Sequence, residues 1–273
     1  MRGREIERLG FWLLTGFLSG IGLLFLVGPV VALVGRCPPA LLASTASERF
    51  VVQTFVITFA LAALAVLVIV AIGYPIAYLL ARTSFPGQNI VRALLEIPVL
   101  LPHTVSGIAL LALFGRHGPC GPLISTLGLS VLDSWFGALL AMAFVSAPFF
   151  IRPLEEAIRS LDPELELVAR SLGAGPMRTF LRITLPLTAR SAVAGAILAW
   201  ARAISEFGAV VILTYNKPMV AAVLVYDRFT TGGLSASLPV SALLALTSIA
   251  IFLTLITLTK RLWAPLPRTT ALR

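Results

Sequence analysis

Arg202 and Glu206 stand four residues apart in the stretch Ser191 to Asn216, which carries no other charge. At that spacing they share one helix face and can pair. Counted at about 1.5 Å per residue from Arg190, they fall near the middle of a membrane span. A charge at that depth costs about 2.5–3.5 kcal/mol on insertion scales. Two roles stand open: a self-neutralising pair that locks helices together, or charges at a pore or its gate. Arg202 attracts an anion and Glu206 repels it, so the two do not make a fixed anion site. Thr104 and Ser106 follow Pro102 and His103. Their hydroxyls either hydrogen-bond an oxyanion without adding charge or bond back to their own helix carbonyls. His103 reads as a packed polar group, and no metal site is expected. Cys37 and Cys120 either form a disulfide or stay as two free thiols. An intramembrane serine protease needs a serine activated by a base. The histidines are His103 and His117, and Gly-x-Ser occurs at Gly128-Leu129-Ser130 and Gly233-Leu234-Ser235, both in loop regions. No Gly-x-x-x-x-Gly-Lys-[Ser/Thr] loop is present, so ATP chemistry is not expected on this chain. It is not read as an enzyme.

The elements that must position these groups follow from composition. Of 273 residues, 58% are hydrophobic and 12% charged. A soluble domain is about half apolar and a quarter charged. The mean hydropathy of +0.98 agrees, and a water-soluble enzyme or a disordered chain is excluded. Uncharged runs extend over Phe11 to Gly35, Phe50 to Ala81, Ile97 to Gly115, Ser134 to Ile151 and Phe229 to Thr259. With Ser191 to Asn216 they predict an all-α, polytopic membrane helix bundle of six transmembrane helices in a single domain, 1–273. The spans fall at about 11–35, 51–80, 94–115, 134–152, 190–216 and 237–260. The first run is too long for a signal-peptide core and reads as a retained span. Pro29, Pro75, Pro98, Pro102 and Pro148 predict kinked helices packed on neighbours. Gly16 and Gly20 have small-xxx-small spacing.

The net charge of +9 and pI of about 10.7 raise nucleic-acid binding, but topology explains them better. Arg2, Arg4 and Arg8 precede span 1; Arg82 and Arg92 follow span 2. Arg152, Arg159, Arg170, Arg178, Arg182 and Arg190 lie between spans 4 and 5; Lys260, Arg261, Arg268 and Arg273 follow span 6. The opposite side has only Arg36, Arg49, Arg116, Lys217 and Arg228. The rule that cytoplasmic loops carry excess Lys and Arg puts both termini and the loop after span 4 in the cytoplasm. Cys37 and Cys120 then fall in outer loops. Glu96 is expected to pair with Arg92.

The loop at 160–187 has its own pattern. Asp162-Pro163 is a helix start. Leu161, Leu165, Val168 or Ala169, and Leu172 recur at helical spacing, and Gly173 is a helix stop. Gly175-Pro176 begins a second short helix, with Pro186 as its end. The apolar face either lies on its own bundle or headgroups, or docks a soluble partner.

This loop resembles the coupling loop of ABC importer permeases, with pattern Glu-Ala-Ala, three residues, Gly, nine residues, Ile-x-Leu-Pro. Gly173 is followed after nine residues by Ile183-Thr184-Leu185-Pro186. The Glu-Ala-Ala positions hold Leu167, Val168 and Ala169, with an acid one place earlier at Glu166. Further similarity lies in Pro98 to Gly107, in Phe144 to Arg152 and in Ala201 to Ala209. With Val225-Tyr226-Asp227-Arg228-Phe229 these resemble the molybdate/tungstate/sulfate branch, closest to the tungstate/molybdate members, over roughly residues 50 to 260. The resemblance implies a pore subunit of an ATP-driven importer for a tetrahedral oxyanion. Two copies of the chain would pair in a prokaryotic plasma membrane. Two ATP-binding subunits, holding ATP and magnesium, would dock on the coupling loops, and an external binding protein would deliver the anion. It implies coupling contacts at Glu166, Ala169, Gly173, Ala174, Ile183, Leu185 and Pro186. Thr104, Ser106, Pro148, Arg202 and Glu206 become candidates for the translocation path or gate. The alternative is an ion-coupled carrier or channel working alone, which explains six spans but not the coupling loop.

Overall fold

The computed structural model describes residues 2–215 and 217–262. Asn216, Arg268 and Arg273, which figured in the span and charge pattern, lie outside the described residues. So do the side chains of Arg2 and Arg4. No strand occurs among the described residues. The helices in chain order are α1 (Arg2–Gly35), α2 (Pro39–Ser47), α3 (Arg49–Arg82), α4 (Gln88–Leu95), α5 (Ile97–Leu100), α6 (His103–Phe114) and α7 (Gly121–Thr126). They continue with α8 (Trp135–Ser160), α9 (Glu164–Ser171), α10 (Pro176–Thr179), α11 (Leu185–Ile204), α12 (Gly208–Leu213) and α13 (Ala221–Leu262). Among the described residues, five helical segments are long and apolar enough to cross a membrane: Glu7–Gly35, Arg49–Arg82, Trp135–Ser160, Pro176–Ile204 and Ala221–Arg261.

The expected third span, 94–115, is not one helix. Pro98 and Pro102 each lack an amide hydrogen and cannot extend the ladder. Leu101 takes an extended conformation (φ −78°, ψ 141°) and Pro102 follows it (φ −53°, ψ 136°), so the segment breaks into α4, α5 and α6. The twelve residues of α6 reach about 18 Å, short of a bilayer core of about 30 Å. The expected fifth span, 190–216, is also interrupted, by Ser205 to Phe207 between α11 and α12.

The chain forms two compact units. One holds residues 1–51 and 225–247. Within it Arg228 donates to Glu48 Oε2 at 2.7 Å, and Gly233, in the left-handed region at φ 69°, kinks α13. Only glycine enters that region freely. No residue of the most apolar stretch of α1 is buried.

The other unit, 52–224 and 248–273, has a core shared by three helices. Ile69, Tyr74 and Ala77 of α3 pack with Phe150, Ile151, Leu154 and Ile158 of α8 and Ala199 of α11. Lipid tails are as apolar as leucine, so close packing and buried hydrogen bonds hold such helices together. Small residues provide the approach. A Cβ on Gly73 would lie 2.9 Å from Ile151 Cγ1, and one on Gly195 3.3 Å from the Phe150 carbonyl. The Tyr74 hydroxyl bonds Thr188 Oγ1 across α3 and α11. Ala221 N–H donates to Thr58 Oγ1 at 2.8 Å, tying the start of α13 to α3.

Both cysteines are free thiols, Cys37 buried and Cys120 partly so. Each cysteine is held in its own turn, Cys37 N–H on the Val34 carbonyl and Cys120 N–H on that of Leu113.

Candidate functional site

The loop at 160–187 is built as its residues require up to Gly173. Asp162 Oδ1 accepts the Glu164 amide at 2.9 Å, and Pro163 precedes the first helical residue of α9. The helix stops at Gly173, whose φ of 87° lets the Ala174 amide return to the Ala169 carbonyl at 3.0 Å. Beyond it the expectation changes. Pro186 does not end a second short helix. A π-turn at Phe180–Thr184 joins α10 to α11, with the Leu185 amide reaching the Phe180 carbonyl. The wider turn accommodates the missing proline amide, so Pro186 sits in the first turn of α11.

The apolar face of this loop is uncovered. Leu165 is 46% exposed, Val168 58%, Leu172 84% and Met177 69%. Gly173 and Pro186 are exposed as well, and Ala169, Ala174, Ile183 and Leu185 are half-buried. The face does not lie on the chain's own bundle, so headgroups and a soluble partner are the covers that stay open.

Glu166 departs from expectation. Instead of facing outward with the apolar residues, it is buried. Its Oε1 accepts Arg82 Nε at 3.1 Å and Thr184 Oγ1 at 2.7 Å, and its Oε2 accepts the Tyr78 hydroxyl at 3.3 Å. Arg82 also donates to the Leu161 carbonyl at 3.3 Å. One carboxylate thus ties α9 to the end of α3 and to the π-turn that leads into α11. The physical reason is position on the helix: one residue earlier than the family's acid turns the side chain about 100° around the axis, from the exposed face to the inner one. Sequence reasoning missed Arg82, Tyr78 and Thr184 as its partners. The available signal was the first charge after a 32-residue uncharged run, Arg82.

Further ion pairs hold the same end of the unit. Arg152 Nε meets Glu96 Oε1 at 2.9 Å, and Arg92 Nε meets Glu155 Oε1 at 2.8 Å. Arg159 also bonds Glu155. The expected Glu96–Arg92 pair is replaced: Glu96, at the break between α4 and α5, meets Arg152 of α8, while Arg92 reaches Glu155.

The second cluster lies where α11 breaks. Arg202 Nη2 donates to Glu206 Oε2 at 2.7 Å, with Arg202 in the last turn of α11 and Glu206 in the break that follows rather than on the same helix face. Glu206 is fully buried. Its other oxygen accepts the Ala209 amide at 2.7 Å, closing the start of α12. His103 joins them, its Nε2 3.1 Å from Arg202 Nη2 and its Nδ1 3.7 Å from Glu206 Oε2. The sequence reading took His103 as a packed polar group and did not name its partners, because Arg202 is 99 residues away. The elements cross tightly: a Cβ on Gly107 would lie 2.8 Å from the Ala209 carbonyl, and one on Gly208 2.6 Å from His103 Cβ. Thr104 is exposed and Pro148 is buried within α8. Ser106 Oγ is buried with no hydrogen-bond partner, so it does not bond back to its helix.

The serine-protease alternative finds no support here. Ser130 Oγ donates to the Leu132 carbonyl at 3.0 Å and Ser235 Oγ to that of Gly232 at 3.4 Å. No group of three or more His, Cys, Asp or Glu able to hold a metal occurs among the described residues.

Residues 73–264 match the family described as binding-protein-dependent transport system inner membrane component. The match covers well over half of the chain. The chain belongs to this family. It is therefore a multi-pass membrane permease component, and the molybdate/tungstate/sulfate resemblance agrees with its relatives. The chain is 39% identical over 215 residues to the molybdate/tungstate transport system permease protein WtpB of Thermococcus kodakarensis, covering 79% of this chain and 81% of that one. It is 33% identical to the probable sulfate transport system permease protein cysT of Zygnema circumcarinatum, covering 89% and 86%. In fold it is similar to the crystal structure of a bacterial ABC transporter involved in import of the acidic polysaccharide alginate. That TM-score is 0.72 at 19% identity, covering 95% of this chain and 98% of the other.

Proposed function

We propose that this permease is the pore-forming subunit of an ATP-driven importer for a tetrahedral oxyanion, molybdate or tungstate first and sulfate second. Two copies form the pore in a prokaryotic plasma membrane, with both termini and the 160–187 loop in the cytoplasm. ATP and magnesium belong to two ATP-binding subunits, and an external binding protein delivers the anion. Family membership and the names of the relatives support this reading.

The observation that carries the coupling role is the division of labour within α9. Its apolar face is uncovered while its one buried carboxylate grips α3 and α11. An apolar helix face with no intramolecular cover suits a groove on a partner. Glu166 then acts as an anchor: a push on α9 is passed to α3 through Arg82 and to α11 through Thr184. The Arg202–Glu206–His103 cluster is the proposed gate, where a neutralised pair bridges the break beside the α6–α12 crossing. A passing dianion would compete with Glu206 for Arg202.

Val168→Asp with Leu172→Asp tests the docking. Two charges desolvated in the partner's groove should reduce co-purification of the ATP-binding subunit by at least about tenfold. The permease itself should stay folded, because both side chains are exposed. Undiminished co-purification sinks the docking role.

A further inference from the structure

A groove of about 270 Å³ runs between α11 and the last turns of α13. Ile197, Leu198, Phe252 and Ile256 line it, and Arg190 and Lys260 stand at one end. Arg190 is in the second turn of α11 and Lys260 in the last turn of α13. Leu198 and Phe252 each lie eight residues deeper, about 12 Å along the helix. The one hydroxyl on its wall, Thr259 Oγ1, is bonded to the Leu255 carbonyl at 2.8 Å. Arg92, Arg152 and Arg159 at this end of the unit each meet a carboxylate. Arg190 and Lys260 have no carboxylate within ion-pair distance among the described residues.

We propose that this groove binds one anionic membrane phospholipid. Its phosphate is held between Arg190 and Lys260, and part of an acyl chain lies along Leu198 and Phe252. Charge complementarity and depth select this occupant. Basic pockets between transmembrane helices at the cytoplasmic side suit anionic headgroups. A free oxyanion would use the two cations but leave 12 Å of apolar wall unfilled. A second copy of the chain would cover the apolar wall but bury two unpaired cations. The site rests on the chain spanning a bilayer and does not depend on the cargo or on the ATP-binding partner.

The test uses the full chain, purified and delipidated, with phosphatidylglycerol and phosphatidylcholine compared by native mass spectrometry. The wild type should retain one phosphatidylglycerol per chain with a preference on the order of tenfold, as expected for two cations at the membrane surface. Arg190→Gln with Lys260→Gln should abolish that preference. Arg116→Gln with Lys217→Gln, which removes the same charge at the other end, should keep it. Leu198→Trp, which fills the groove without changing charge, should weaken retention of phosphatidylglycerol. Equal binding of the two lipids by the wild type overturns the proposal, as does an unchanged preference in the Arg190/Lys260 variant. Displacement of the lipid by inorganic phosphate or molybdate would assign the cations to a free anion. Cross-linking between copies through Leu198→Cys would assign the groove to a second chain. Either result also overturns it.

Discussion

Glu206→Ala is expected to destabilise the folded permease by about 3–5 kcal/mol, the cost of breaking a buried pair by removing one partner. The variant loses two bonds at once. Arg202 Nη2 is left without its 2.7 Å carboxylate, and the Ala209 amide at the start of α12 is left unmet. A buried donor without a partner costs about 1–3 kcal/mol by itself. Glu206→Gln should be milder, because an amide oxygen can still receive Ala209 N–H while only the charge is gone. Arg202→Ala leaves the carboxylate buried beside His103, whose Nδ1 is 3.7 Å away. Arg202→Met with Glu206→Leu should recover the part of the loss due to the unpaired charge, since replacing both charges by apolar groups is often close to neutral, but not the part due to the Ala209 amide, which stays unmet. Thermal unfolding of the purified chain in detergent reads all four. If Glu206→Ala unfolds within about 1 kcal/mol of wild type, the pair is not what holds the α11–α12 break.

Glu166→Ala is expected to release α9 while leaving the α3–α8–α11 core intact. Removing one partner of the buried Arg82 pair costs about 3 kcal/mol, and the Thr184 and Tyr78 hydroxyls lose their acceptor with it. Amide exchange over residues 161–173 should then quicken by about a hundredfold. Exchange in α8 should not change. Arg82→Ala should reproduce most of the effect, and the double variant should cost far less than the sum, because both act on one contact. Co-purification of the ATP-binding subunit should fall in both variants, although neither side chain is placed on the docking face. Unchanged exchange in α9 would remove Glu166 from the proposed transmission.

Much of this fold was legible because lipid imposes simple rules. Uncharged runs long enough to span give helices, and the runs around α1, α3, α8 and α13 did so. Gly173 and Asp162 acted as stop and start because backbone conformation and capping are local properties. The breaks were harder. Pro98 and Pro102 were read as kinks, yet two prolines four residues apart with an extended Leu101 between them divide a span outright. Pro186 was read as an end and is a beginning. A π-turn has no sequence signature as plain as a glycine stop. In the site, the four-residue spacing allowed the Arg202–Glu206 pair, although the helix ends at Ile204 and the pair forms across its break. The roles of His103 and Arg82 did not follow from spacing, since each depends on a partner 84 or more residues away, and that of Thr184 did not, since it depends on how the π-turn folds back on α9. Glu166 shows the difference most clearly: a shift of one residue moves an acid from the exposed side of α9 to an internal anchor.

The most direct test of the account is uptake of radiolabelled tungstate into proteoliposomes. These would carry the permease with its ATP-binding subunit and external binding protein. The account predicts uptake that requires ATP and is lost in the Val168→Asp/Leu172→Asp variant. Uptake at the wild-type rate by the permease alone, driven by an ion gradient without the ATP-binding subunit, would contradict it.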